Sequence, residues 1–461
     1  MSRTAPLTPE EKRTRGRAQR EATPRGEMAT LVERPADYDS VGRLMWQGES
    51  RQPDLLPLRY SRMLANPLSF YRGNALLMAD DLARGASTSL EVQICGDAHL
   101  ANFNLFSSPE RHLVFDVNDF DETDQGPFEW DLKRLVASLA IASSHLGHSD
   151  AQQERIALAA AQEYRMAIRR FAGEDRLALW YAALDIDAVM VDLGGFFTVN
   201  AIHKVDHVVA YASGRDTRKA YAKLIVDDKD GPRIVAKPPL LVPLRELHED
   251  GYLKTADLER LIAGYATSLT NDRRVLLSEF TPVDAARKVV GVGSVGTECY
   301  VVLLLGRDEF DPFFLQVKQA GPSVIATARS RTSTMPAGER VVQGQRLMQA
   351  TPDVFLGWHA VKKGAATRHY YVRQLYDNKA AIALDRLDES LLVAYGRICA
   401  WTLARAHARG GRGSEIAGYL GKSNVADEAF ADFANAYRDR TLSDFTALQS
   451  AAREGRITLA T

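Results

Sequence analysis

Three cysteines in 461 residues are too few for a disulfide framework, and Cys95, Cys299 and Cys399 each stand inside an apolar run, so they read as buried thiols. No run of eighteen apolar residues exists, and the N-terminus lacks a signal-peptide core, so no membrane partner is expected and the cytoplasm is the default compartment. Charge of one sign is also missing: 58 Lys and Arg against 59 Asp and Glu leave a net charge of −1, which does not favour nucleic-acid binding. His145, His148, His203, His207 and His248 lack the Cys/His grouping of a zinc site, and no glutamate follows His203 as in a zincin, so none is assigned a metal. What remains is an ordinary globular composition, 46% apolar and 25% charged, with room for two or three lobes. Residues 1–40 stand apart. Arg3, Lys12, Arg13, Arg15, Arg17, Arg20 and Arg25 face only Glu10, Glu11, Glu21 and Glu27 up to residue 28, which predicts a basic arm, flexible or partly helical.

The most informative stretch is 94–131, where Asp97 is followed five places later by Asn102 and then by Asp116, Asp119, Asp121, Glu122 and Asp124. A phosphoryl-transfer site needs a carboxylate to orient the attacking oxygen, a neutral carbonyl oxygen on Mg²⁺, and a second carboxylate on the metals that bridge the phosphates. Asp97, Asn102 and one of Asp116 or Asp119 supply these in order. Around them Asn102–Phe106 alternates as a strand, Ser107–Glu110 is a turn cluster, and Leu113, Phe115 and Val117 share one face of a second strand. As strand residues Asp116 and Asp119 would face opposite ways, so a break at Asn118 is needed for both to reach one metal pair. The competing reading is that aspartates cluster at turns to accept backbone hydrogen bonds, yet a turn needs one or two, not five acids.

The segments GDAHLANFN, FDVNDFDET and GPFEWDLKRLVAS resemble a bacterial domain family of unknown function, DUF2252, related to protein kinases and aminoglycoside phosphotransferases. The resemblance implies an α+β, protein kinase-like fold of two lobes, with ATP and Mg²⁺ as cofactors. It makes Asp97 the catalytic base, Asn102 a metal ligand, Asp119 the metal aspartate at the strand end, and Asp131 a structural carboxylate bracing the loop. Asp119-Phe120-Asp121 departs from the kinase Asp-Phe-Gly at its last residue, which keeps Asp116 a rival for the metal.

A second constellation lies some two hundred residues on. Gly291, Gly293 and Gly296, with Ser294 among them, have Gly-x-Gly-x-x-Gly spacing between strand-like flanks, where backbone N–H groups can approach phosphate oxygens. Phe314-Leu315-Gln316-Val317-Lys318 resembles the kinase Val-Ala-Ile-Lys, which makes Lys318 the candidate phosphate-binding lysine. The usual alternative for such glycines is an ordinary hairpin turn. Residues 338–350 have helical spacing, and Glu339 is the candidate partner of Lys318, against an equally weighted role as a solvated first-turn acid. Gln343, one turn on, competes as a hydrogen-bonding partner. Tyr370–Leu375 reads as a strand and 389–408 as a long helix.

Both constellations stand in reverse order for a kinase, so a circular permutation is expected, with the small β-rich lobe inserted late and an α-rich large lobe around it. The divisions are 1–40, a large lobe over 41–270, a small nucleotide-binding lobe over 271–385 opening with a strand at Arg273–Phe280, and returning helices over 386–461. Helices are expected over 131–146, 151–171, 174–190 and 200–224. His99 either orients the loop or touches substrate, Arg72 either binds phosphate or pairs within the fold, and Arg412 replaces an acid common in the family's turn. The expected activity is ATP- and Mg²⁺-dependent phosphotransfer to an unidentified small molecule or protein. Nucleotidyl (AMP) transfer and a nucleotide-binding pseudokinase are the alternatives.

Overall fold

The computed structural model describes residues 7–185, 224–229, 231–247, 252–363, 366–375, 384 and 387–460. The expected helix over 200–224 up to residue 223, the segment 186–190 of the helix expected over 174–190, and His203, His207 and His248 lie outside the described residues. The architecture is mixed α+β: a body of long helices, and a six-stranded sheet that follows much of it in the chain.

Helix Phe128–His145 is buried on every side from Phe128 to Ser143, which makes it the axis of the helical body. Asp150–Phe171, Glu389–His407 and Val425–Arg453 pack around it and share one continuous apolar core with strands Glu91–Ile94, Phe103–Ser107 and Leu113–Val117. A helix wrapped on all sides needs small residues to let its neighbours close in, and the Ala- and Ser-rich middle of Phe128–His145 supplies them.

The sheet is antiparallel throughout, in the order Gly357–Lys363, Ala366–Gln374, Pro312–Ala320, Cys299–Leu305, Thr281–Lys288 and Leu241–Pro243. Strand alternation divides its residues between two faces. Tyr300, Val302, Leu315 and Val317 face a core shared with helix Thr255–Tyr265, while Val301, Leu303 and Phe314 belong to the opposite face. Gln316 and Lys318 share the parity of Phe314, so the period-2 pattern turns two polar side chains away from the helix-covered core. Cys299 pairs with Lys318, and Lys318 with Tyr371. Helix Ala337–Met348 packs against the edge strands.

One expectation needs correction, and one is made specific. Arg273–Phe280 is no strand: Asn271–Ser278 is a helix with Thr270 at its N-cap position, and the strand begins at Thr281. Thr270, Asn271 and Asp272 are helix-starting residues that outweigh the apolar run behind them. The basic arm is helical over Pro9–Ala22, closed by a Thr8/Glu11 capping box, and it docks on helix Gly413–Leu420. The two backbones approach so closely that a Cβ on Gly16 would stand 1.9 Å from the Glu415 carbonyl oxygen. Arg20 donates to the carbonyls of Gly418 and Tyr419, and Arg25 to that of Leu420, so the arm's charge caps a helix C-terminus. The long helix over 389–408, by contrast, is found at Glu389–His407, and the strand at Tyr370–Leu375 within Ala366–Gln374.

Candidate active site

Strand Glu91–Ile94 delivers the chain to a turn at Gly96, where φ is +78° and a Cβ would meet the Glu122 carbonyl oxygen at 2.3 Å. Only glycine fits there. The turn is braced from below by Asp131, whose Oδ2 accepts from the Cys95 N–H at 2.7 Å and whose Oδ1 accepts from the Gly96 N–H at 2.9 Å. His407 holds the same carboxylate at 3.2 Å and is itself 2.7 Å from the Tyr164 hydroxyl.

Asp97 follows, its Oδ1 accepting from Arg134 Nε at 2.8 Å. Burial drives its carboxyl up to about 6 despite the counter-pull of Arg134. Such a group ionises near neutrality, where a base is useful. His99 Nε2 is 3.7 Å from Asp97, and burial together with Arg72 and Arg134 holds the imidazole neutral, well below its ordinary value. Asn102 ends a short 3-10 turn, and its Nδ2 donates to the Asp97 carbonyl at 2.7 Å. With the amide nitrogen so engaged, Oδ1 is the atom left for the cleft, the right type for a hard cation.

The hairpin Phe103–Ser107 and Leu113–Val117 separates the two rival aspartates. Asp116 lies within the strand, is buried, and accepts from Arg405 through both oxygens at 2.7 and 2.8 Å and from the Ala350 N–H at 2.9 Å. It points into the fold and does not line the cleft. Asp119 lies beyond the strand end, past Asn118, half-exposed in the cleft with Asp97 and Asn102.

Across the cleft stands the glycine segment, between strands Thr281–Lys288 and Cys299–Leu305, with a 3-10 turn over Val292–Ser294. Gly291, Gly293 and Ser294 line the cleft; Gly296 has φ +91° and packs on Arg51. The segment is tied down rather than free. Arg62 donates to the Val290 carbonyl and Arg51 to the Val295 carbonyl, each at 2.6 Å, while the Gln52 N–H donates to that of Gly296 at 2.7 Å. Ser294 Oγ reaches Asp121 at 3.1 Å.

Lys318 Nζ is 2.7 Å from Asp121 Oδ2 and 3.7 Å from Asp119 Oδ1. Burial alone would lower the ammonium, but Asp119 and Asp121 outweigh it and hold the lysine charged. Asp121, pushed up by burial, is pulled below its ordinary value by Lys318 and by the Tyr371 hydroxyl, which donates at 2.6 Å. Its two carboxylate partners, Asp119 and Asp121, both come from the loop; Glu339 is not one of them. Glu339 sits in the first turn of Ala337–Met348, where the helix dipole favours an acid. Its neighbour Arg340 turns inward instead, donating to the carbonyls of Asp121, Gly321 and Thr123.

Sequence reasoning therefore missed Asp121, Arg134 and Arg340. Asp121 carried a signal, since it adds a second carboxylate two residues from Asp119. Arg134, three residues after Asp131 on the same helix, carried the i, i+3 signal of a shared face.

The chain belongs to a family described as an uncharacterized protein conserved in bacteria (DUF2252), whose family model matches residues 51–451. No curated protein and no solved structure matches the chain. Among the described residues, no helix is long and apolar enough to cross a membrane, and no group of three or more His, Cys, Asp or Glu side chains gathers as a metal cage.

Proposed function

We propose that the protein is an ATP- and Mg²⁺-dependent phosphotransferase of a protein kinase-like, circularly permuted fold, acting on a small molecule or protein acceptor. The observation that carries this reading is the convergence of Asp97, Asn102, Asp119 and Lys318 with the glycine segment on one cleft, although the chain separates them by some two hundred residues. Connectivity agrees: the glycine segment joins strands Thr281–Lys288 and Cys299–Leu305, the lysine is on the next strand, Pro312–Ala320, and helix Ala337–Met348 follows before the last pair. A kinase arranges its glycine loop, lysine and helix in that order.

Each residue has work that matches its surroundings. Asp97, half-buried and with its carboxyl pushed up to about 6 by desolvation, orients the acceptor hydroxyl and takes its proton late in the transfer. Lys318 neutralises phosphate oxygens, and the glycine segment offers backbone N–H groups to others. Asn102 and Asp119 would hold Mg²⁺, a cation bound by one or two protein ligands plus substrate phosphates, so a dedicated protein cage is not required. When bound, the ion neutralises phosphate charge.

Product analysis with ATP labelled separately in its α- and γ-phosphates, against candidate sugars, amino alcohols, aminoglycosides and cell extract, tests the proposal. Transfer of γ-label with release of ADP is expected. Transfer of α-label would replace it with AMP transfer, and Mg·ATP binding without turnover of either label would make the protein a nucleotide-binding module.

A further inference from the structure

Resting on the phosphotransfer reading, we propose that Arg72 is a catalytic residue: its guanidinium binds the phosphoryl group while that group passes from nucleotide to acceptor. The cleft consists of two cavities. One, of ≈ 140 Å³, is bounded by His99, Gly291, Gln316, Lys318 and Arg373, the nucleotide side. The other, of ≈ 40 Å³, is bounded by Gln47, Arg51, Gly73, Ala75 and Glu122. Their common wall is Arg72, Asp97, Asn102, Asp119, Gly293 and Ser294. A group handed from one cavity to the other crosses that wall, and among the described residues Arg72 is its only cation.

The bonding of Arg72 agrees. Other arginines around the cleft are committed: Arg134 to Asp97, Arg51 and Arg62 to carbonyls of the glycine segment, Arg373 to Gln316 and the Asn118 carbonyl. Arg72 makes no side-chain hydrogen bond or ion pair among the described residues, and its Nε is buried without a partner. A buried N–H left unmade costs free energy that an arriving acceptor recovers. Asp97 and Asp119 favour its charged form against burial, yet Asp97 already accepts from Arg134, so Arg72 stands between the base and the metal aspartate without being neutralised by either. Its Nη2 lies 3.8 Å from where a Cβ on Gly291 would be.

The placement is rigid, as a positioned donor requires. Helix Pro67–Gly73 carries the residue, Arg134 Nη2 donates to the Tyr71 carbonyl at 2.5 Å, and Arg59 Nη2 donates to that of Gly73 at 2.9 Å. The backbone on both sides is thus pinned by buried guanidinium groups. A planar fork of donors matches the three equatorial oxygens on which charge spreads during transfer. In that step the acceptor oxygen bonds to the γ-phosphorus, and the bond to the β,γ-bridging oxygen breaks with its electron pair leaving on ADP. The hydroxyl proton passes to Asp97, and Arg72 keeps all its own bonds while donating to the equatorial oxygens.

Calorimetry of the full chain with Mg·ADP, alone and with aluminium fluoride as a planar phosphoryl mimic, tests this without an acceptor. Wild type is expected to bind Mg·ADP more tightly with fluoride present. Arg72→Ala is expected to bind Mg·ADP within about threefold of wild type while losing about a hundredfold of the fluoride tightening. Arg72→Lys should recover little of it, because an ammonium lacks the fork. If Arg72→Ala does not melt cooperatively, Arg72→Met, which keeps the stem, takes its place. Tightening retained without the guanidinium overturns the proposal, as does a wild type that binds Mg·ADP and gains nothing from fluoride. An equal loss of Mg·ADP itself also overturns it, making Arg72 a clamp on the glycine segment. A wild type that binds no Mg·ADP sinks the phosphotransfer reading instead, and is told apart by that.

Discussion

The loop after strand Glu91–Ile94 and the glycine segment facing it are held by opposite groups. In the loop, backbone N–H groups are spent: those of Cys95 and Gly96 on Asp131, and that of Leu100 on the Ser138 hydroxyl at 2.9 Å. In the glycine segment it is the carbonyls that are spent, on Arg62, Arg51 and the Gln52 amide. The N–H groups of Val292 and Gly293 take no part in those bonds. A carboxylate brace fixes where a side chain such as Asp97 points, whereas a guanidinium brace fixes a strip of backbone and keeps its donors for an anion. One side of the cleft is built to aim, the other to receive.

The comparison is broken or sharpened most strongly at Asp131. Asp131→Ala leaves the buried Cys95 N–H and the half-buried Gly96 N–H without their acceptor and is expected to cost about 2–6 kcal/mol of stability, at roughly 1–3 kcal/mol each. Denaturant unfolding measures it, and a loss below about 1 kcal/mol would mean the loop is held elsewhere. Next is the residue that the brace aims. Asp97→Asn is expected to lower turnover about a hundredfold while leaving Mg·ATP affinity within a few-fold. In wild type, activity should rise with pH through about 6, as the carboxyl ionises, and the acid limb should vanish in the variant. Equal turnover of variant and wild type would remove Asp97 as the base.

Arg62→Ala addresses the receiving side and should do less to stability, within about 1 kcal/mol, since it frees one half-buried carbonyl that water can reach. Its effect should appear as severalfold weaker nucleotide binding, read by titration; unchanged affinity would show that the tie is not needed. The smallest effect is at Glu122, which burial raises to about 7 while its Oε2 accepts from the Val324 N–H at 2.7 Å. The unfolded chain gives up this proton near 4.5 and the folded chain near 7, so between them the folded state keeps a proton that the unfolded state has lost, and stability falls as pH rises. Glu122→Gln should flatten the decline in Tm between pH 5 and 8 by a few degrees; an identical slope would assign the decline to other groups.

Much of the cleft was legible because its chemistry is local in sequence. Asp97, Asn102 and Asp119 stand within 23 residues, and Gly96 and Asp131 bracket them. That Asp116 turns into the fold while Asp119 lines the cleft was not, because it depends on Arg405, nearly three hundred residues away, reaching the strand from helix Glu389–His407. The partner of Lys318 was missed for a related reason. Helical spacing brought Glu339 into view, but whether a helix presents position 339 or 340 to the sheet is set by how it rotates on packing, and Arg340 faces inward. The helix at Asn271–Ser278 shows local capping signals prevailing over an apolar run, and the arm shows the converse. Its capping box was readable in Thr8 and Glu11, but its docking surface, a helix beginning at Gly413, was not.

That docked arm carries a practical consequence for where the folding unit starts. The family match opens at residue 51, yet Arg34 lies outside it and bridges Asp81 and Asp444, two carboxylates buried inside the match, at distances from 2.6 to 2.9 Å. A chain trimmed to the match would strip that guanidinium away and leave Asp444 without it, in a setting where a buried charge stripped of its partner costs about 3–5 kcal/mol. It would also uncap helix Gly413–Leu420, which Arg20 and Arg25 close. The start of the family match and the capped helix that docks on the fold are thus some forty residues apart in the chain.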